Sequence, residues 1–97
     1  MSDKYILEGH EAIECNDLMK WSAWFETADR HVAKTKITDE ISVSTVFLAL
    51  DHSFGGGPPM LFETMVFGGP LDGQMERYRT WEFAELGHKI WVSKASH

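Results

Sequence analysis

Residues 41–70 read ISVSTVFLALDHSFGGGPPMLFETMVFGGP, two apolar runs on either side of a loop with three glycines and two prolines. The runs are rich in β-branched and aromatic side chains, which fit the pleated surface of a sheet. They predict one core strand over residues 41–50 and another over 60–67. Ile41 and Val43 alternate with Ser42 and Ser44, whereas residues 46–50 are apolar on both faces. The first strand is therefore expected to start at an exposed rim and to pass through the centre of its sheet. The connection over residues 51–59 is too long for a two-residue hairpin turn.

Outward from this segment the pattern changes. Two short apolar pieces, Tyr5-Ile6-Leu7 and Ala12-Ile13, flank Gly9 and predict a strand or strand pair bent at that glycine. Asn16 or Asp17 offers an N-cap. Leu18, Trp21, Phe25 and Ala28 then recur on one helical face, widened by Trp24, so a helix is expected over residues 17–28. Residues 31–37 read as a modest strand with Lys34 and Lys36 toward water, and residues 75–78 as a short edge strand. Thr80 is the expected N-cap of a last helix, with Glu82 and Glu85 near its positive end. Phe83, Leu86 and Ile90 form one stripe on that helix; Ala84, His88 and Trp91 form an adjoining one. Gly87 lowers helix propensity by about 1 kcal/mol, which a close approach to the sheet would explain. The order β, α, several β, α predicts one α+β domain over residues 1–97. Its architecture is an antiparallel sheet of about four strands with two helices packed on one face.

Composition narrows the class. Of 97 residues, 43% are apolar and 25% charged, an ordinary globular balance. A single cysteine, Cys15, excludes an intrachain disulfide and fits a reducing compartment. No apolar run approaches the ~20 residues of a membrane span. The N-terminus lacks a basic region followed by an apolar stretch, so a secretion signal is not expected and the cytoplasm is the expected location. The net charge of −6 disfavours direct binding to nucleic acid. Acid is concentrated early, where Glu8, Glu11, Glu14, Asp17, Glu26 and Asp29 are opposed between positions 8 and 29 only by Lys20. This region either contacts a basic protein surface or is a solvated surface. Glu11, Glu14 and Asp17 are thus candidate interface residues. Trp24 joins them because four Trp exceed what two short helices usually bury.

The central loop holds the candidates for chemistry. Backbone amides of Phe54, Gly55, Gly56 and Gly57 can face an anion, but the loop has no lysine and Pro58 and Pro59 remove two donors. Asp51 can orient His52 as a general base, or it can accept amide hydrogens in a turn. Glu63 shares a strand face with Leu61, Met65 and Phe67, where a carboxylate is costly unless paired. Arg30, Arg77, Arg79 or a histidine would serve as its partner; at an edge it would be exposed. Asp51, His52, Phe54, Gly55, Gly56, Gly57 and Glu63 are therefore the candidate ligand-binding residues. The five histidines have no compact ligand spacing, so no metal site, cofactor or catalytic residue is assigned.

The chain resembles a group of small proteins of tailed bacteriophages and prophages. The resemblance begins with Ser44-Thr45-Val46-Phe47-Leu48-Ala49-Leu50 and Asp51-His52-Ser53-Phe54. It resumes at Gly57-Pro58-Pro59, Leu61-Phe62-Glu63-Thr64-Met65, Phe67-Gly68-Gly69-Pro70 and Glu76-Arg77-Tyr78, and covers both helices more loosely. It implies a phage or prophage gene expressed in a bacterial cytoplasm and carries over no site residues. Small accessory proteins of this kind often bind and disable host factors, defence systems included. The leading expectation is a non-catalytic binding protein acting on a host protein, such as an anti-CRISPR-like inhibitor, with a homodimer as an option. One alternative is a small-ligand or nucleotide binder using residues 51–59. The other is a metal- or histidine-dependent hydrolase around His52 and Glu63.

Overall fold

The computed structural model describes residues 3–51, 53 and 57–97. Among these residues, six strands and two helices follow one another as β1 (Tyr5–Glu8), β2 (Glu11–Glu14), α1 (Leu18–Thr27), β3 (His31–Lys36), β4 (Ser42–Phe47), β5 (Phe62–Phe67), β6 (Met75–Tyr78) and α2 (Trp81–Ala95). β3 to β6 form an antiparallel sheet in sequence order, and β1 and β2 form a separate hairpin. The architecture is the expected α+β arrangement. No helix among the described residues is long and apolar enough to cross a membrane.

Local chemistry sets the element ends. β1 turns into β2 at Gly9, whose φ of 61° lies in the left-handed region that favours glycine. Asp17 caps α1, its Oδ1 accepting from the amides of Met19 at 3.0 Å and Lys20 at 3.1 Å. Thr80 caps α2 by accepting from the Phe83 amide. β4 is shorter than the 41–50 run predicts. Ala49 takes a φ of 65°, and an alternating strand cannot continue through that conformation. The turned chain serves the hairpin instead: the Ala49 carbonyl accepts from the Tyr5 amide and from Trp21 Nε1.

Strand register divides the sheet into two unlike faces, because directly paired residues share a side. The pairs Thr35–Val43, Thr45–Thr64, Phe47–Phe62 and Phe62–Tyr78 place these residues on one face. α2 packs against all four strands there. α1 reaches the same face at the Phe47 end, where Trp24 meets the Phe47 ring edge-on at 5.8 Å. Phe47, Ala49, Leu61, Phe62, Tyr78 and Ala84 form one buried cluster, and Val43 and Val66 are fully buried as well. The opposite face carries Lys34, Lys36, Ser42, Ser44, Val46, Glu63, Met65, Phe67, Met75 and Arg77, with Phe67 and Met75 exposed.

A buried polar cluster joins α2 to the sheet. The His88 ring lies between two threonines, Nδ1 at 2.7 Å from Thr45 Oγ1 and Nε2 at 2.8 Å from Thr35 Oγ1. Thr45 Oγ1 also meets Thr64 Oγ1 at 2.5 Å. A neutral imidazole donates through one nitrogen and accepts at the other, and hydroxyls can supply either role. Every polar atom of the cluster is therefore matched, which is what makes its burial tolerable. Next to His88 in the helix, Gly87 lies flat against the Tyr78 side chain, and a Cβ at Gly87 would overlap the phenol ring.

Two outcomes follow from this packing. Gly87→Ala improves helix propensity by about 1 kcal/mol but drives a methyl into Tyr78. Urea unfolding is expected to show a net loss of about 1–2 kcal/mol, and an unchanged or raised midpoint would contradict the close contact. Burial pushes the His88 imidazole below its ordinary 6.5, so as pH falls the unfolded chain takes up a proton before the folded one does. This contribution to stability is complete above pH 6.5 and is lost as pH falls through the folded-state value. His88→Gln is expected to flatten that pH dependence while lowering stability at alkaline pH by about 1–3 kcal/mol. An equally steep profile in the variant would exclude His88 as its source.

Candidate functional site

Of the residues singled out around the central loop, the described ones are Asp51, Gly57 and Glu63, and Asp51 and Glu63 hold different partners. His52, Phe54, Gly55 and Gly56 lie outside the described residues. Gly57 is exposed, with open space beside it. Asp51 organises the chain around it, its Oδ1 accepting from the amides of Ser53 at 2.8 Å and Met60 at 3.0 Å. Glu63 points to the helix-free side of the sheet. There its Oε2 accepts from Arg77 Nε at 3.0 Å, across a register pair of β5 and β6. The Glu63 side chain is only 15% exposed, so the guanidinium supplies the partner that a nearly buried carboxylate requires. Among the described residues, no three His, Cys, Asp or Glu side chains gather as a metal site.

The proposed interface residues lie on β2, at the start of α1 and within it. Glu11 and Glu14 are exposed on β2, and the Asp17 carboxylate is engaged in capping α1. Trp24 is half-buried against the core phenylalanines.

An apolar surface lies elsewhere, between α2 and β6. A groove of about 290 Å³ runs there, with Phe83, Leu86 and Ile90 on the helix side and Met60 and residues 76–79 on the strand side. Phe83 is 62% exposed, Leu86 55% and Ile90 46%. These three recur along one flank of the helix, the spacing of a binding stripe or a core stripe. Gly87 and Tyr78 meet at the base of the groove. Glu76 is already engaged, its Oε1 accepting from Trp91 Nε1 at 2.9 Å and from the Tyr78 hydroxyl at 3.4 Å. Burial pushes the Tyr78 phenol above its ordinary value of 10.0, so it stays protonated and able to donate. Arg79 is exposed at the groove, and no ion pair engages it among the described residues.

Arg79 also borders a second cavity of about 260 Å³, lined by His10, Glu11, Ala12 and the start of α2. His10 stacks on Trp81 there, ring centres 3.9 Å apart and planes within 7°. Trp81 Nε1 is buried with no acceptor among the described residues. Glu11 and Glu82 set two carboxylates against the single guanidinium in this cavity, so its charge favours no anion.

The exposed helix stripe was visible in the sequence as one of two adjoining apolar stripes. The clue to which faces inward is side-chain size. Ala84 and Gly87 permit the helix backbone to approach the sheet closely, and both are buried with His88. The bulkier stripe is consequently turned outward. Comparisons with protein families, with curated proteins and with solved structures find no match for this chain.

The Glu63–Arg77 pair is open to a direct measurement. A double-mutant cycle of Glu63→Gln and Arg77→Met is expected to yield a coupling energy of about 1 kcal/mol, in the range of partly exposed pairs. A coupling near zero would mean that the carboxylate is held by solvent instead.

Proposed function

We propose that this chain is a non-catalytic binding protein of the phage- or prophage-encoded kind that its central segment resembles. It acts in the bacterial cytoplasm by contact with a host protein, a host-defence factor being the class of target that the resemblance suggests. The observation that carries the reading is the orientation of α2, which buries Ala84, Gly87 and His88 while exposing Phe83, Leu86 and Ile90. Single exposed apolar residues are ordinary on a protein surface, but a contiguous stripe beside a groove marks an interaction site. Large apolar and aromatic anchors at the centre of a contact supply most binding energy, with polar groups around them setting orientation. Arg79 and Glu76 supply such groups at this groove.

The test compares two charge insertions at exposed positions. Leu86→Arg sits on the groove and Leu18→Arg on the distant helix α1, where Leu18 is also exposed. In affinity capture from bacterial lysate at physiological salt, wild type and Leu18→Arg are expected to retain a host protein that Leu86→Arg loses by about tenfold or more. No captured protein in any arm, or equal capture by all three, would refute the reading.

A further inference from the structure

We propose that the α2–β6 groove takes an extended segment of its partner, added as a fifth strand antiparallel or parallel to β6. Apolar side chains of that segment at alternate positions pack against Phe83, Leu86 and Ile90, and a carboxylate reaches Arg79. This rests on the groove being the contact surface and specifies the chemistry of what enters it.

The first support is the edge itself. β6 pairs only with β5, so its other side is unpaired among the described residues. The carbonyls of Gln74 and Tyr78 are directed at β5, where they accept from the amides of Val66 and Leu61. Alternation along a strand then turns the peptide groups of Met75 and Arg77 to the open side. Unsatisfied edge groups recruit a strand, and the hydrogen bonds they offer are specific to extended backbone.

The second support is what stands above that edge. An added strand would place every second side chain on the α2 side of the sheet, where the exposed helix stripe overhangs the groove. A helical occupant would bury apolar surface but leave the Met75 and Arg77 peptide groups without strand partners. A main-chain ladder combined with pockets for alternate side chains is the established physical basis of strand addition beside a helix.

Charge chooses between a second copy and a different partner. Two β6 strands related by a two-fold axis normal to the sheet must pair residues of the same face, so one residue always faces its own copy. Centred on Met75, Arg77 and Tyr78 meet the copy's 70–73 turn instead of a strand. Centred on Glu76 or Arg77, that charged residue faces its own copy; centred on Tyr78, Arg77 faces Arg79. Directly opposed like charges destabilise the last three pairings. Among the described residues, the remaining free charge at the groove is Arg79, since Glu76 is bonded to Trp91 and Tyr78, and Arg77 to Glu63. The overall charge of −6 opposes an acidic segment at a distance. Physiological salt screens that field over about 8 Å, leaving the contact with Arg79 to decide.

The test screens the intact protein against a randomised library of short acetylated, amidated peptides. Enriched sequences are expected to alternate apolar and other residues and to carry Asp or Glu. For an enriched peptide, N-methylation of one alternate set of amides should weaken binding by about tenfold while the other set is tolerated. Arg79→Gln should weaken it about fivefold and Leu86→Arg more than tenfold. Helical i, i+3, i+4 spacing, indifference to N-methylation, or no enrichment would overturn the proposal. Strand-like peptides bound at the groove without any captured host protein would uphold this chemistry and remove the host-directed function. Host capture lost in Leu86→Arg but insensitive to competing strand-like peptides would uphold that function and overturn the strand addition.

Discussion

The position of α2 depends on a histidine held between two strands. His88 bonds Thr45 on β4 and Thr35 on β3, and Thr45 in turn bonds Thr64 on β5. Apolar packing alone would let a helix with two adjoining apolar stripes roll on its sheet, because the hydrophobic effect is non-directional. Hydrogen bonds are directional, and leaving these buried groups unmatched would be costly. The ring therefore fixes the helix's rotation as well as its attachment. Its neutral state belongs to the same arrangement, since burial disfavours the charged form.

The rest of the surface follows from that rotation. With His88, Ala84 and Gly87 inward, the 3.6-residue repeat carries Phe83, Leu86 and Ile90 to the flank above β6. Gly87 against Tyr78 brings helix and edge strand close enough for a groove rather than two separate surfaces. The two sheet edges are not equivalent. β3 presents Lys34 and Lys36, which discourage strand pairing, whereas β6 lies beneath an apolar overhang. The face away from the helices has its own internal constraint in the Glu63–Arg77 pair.

Much of the scaffold was legible because local rules govern it. Asp17 and Thr80 cap the helices as their side-chain oxygens predict, and Gly87 marks a close approach to the sheet. Where local rules met tertiary demands they gave way. The apolar run to Leu50 reads as strand, yet β4 ends at Phe47 and Ala49 turns its carbonyl toward Tyr5 and Trp21. The glycine-rich loop reads as a candidate site because its composition is unusual. Asp51, at its entrance, holds the amides of Ser53 and Met60. The α2–β6 groove has no local signature, because each of its parts resembles ordinary core or edge sequence.

By itself, the sequence determined the α+β class, the approximate elements and the apolar repeat of the last helix. Periodicity and capping act over a few residues and need no knowledge of distant partners. Only the tertiary structure decided which helical stripe is buried, that Glu63 meets Arg77, and that the β6 edge lies beside exposed Phe83, Leu86 and Ile90. Those outcomes depend on strand register and on a hydrogen-bonded histidine whose partners lie 43 and 53 residues away. Such long-range matching has no signature in local spacing.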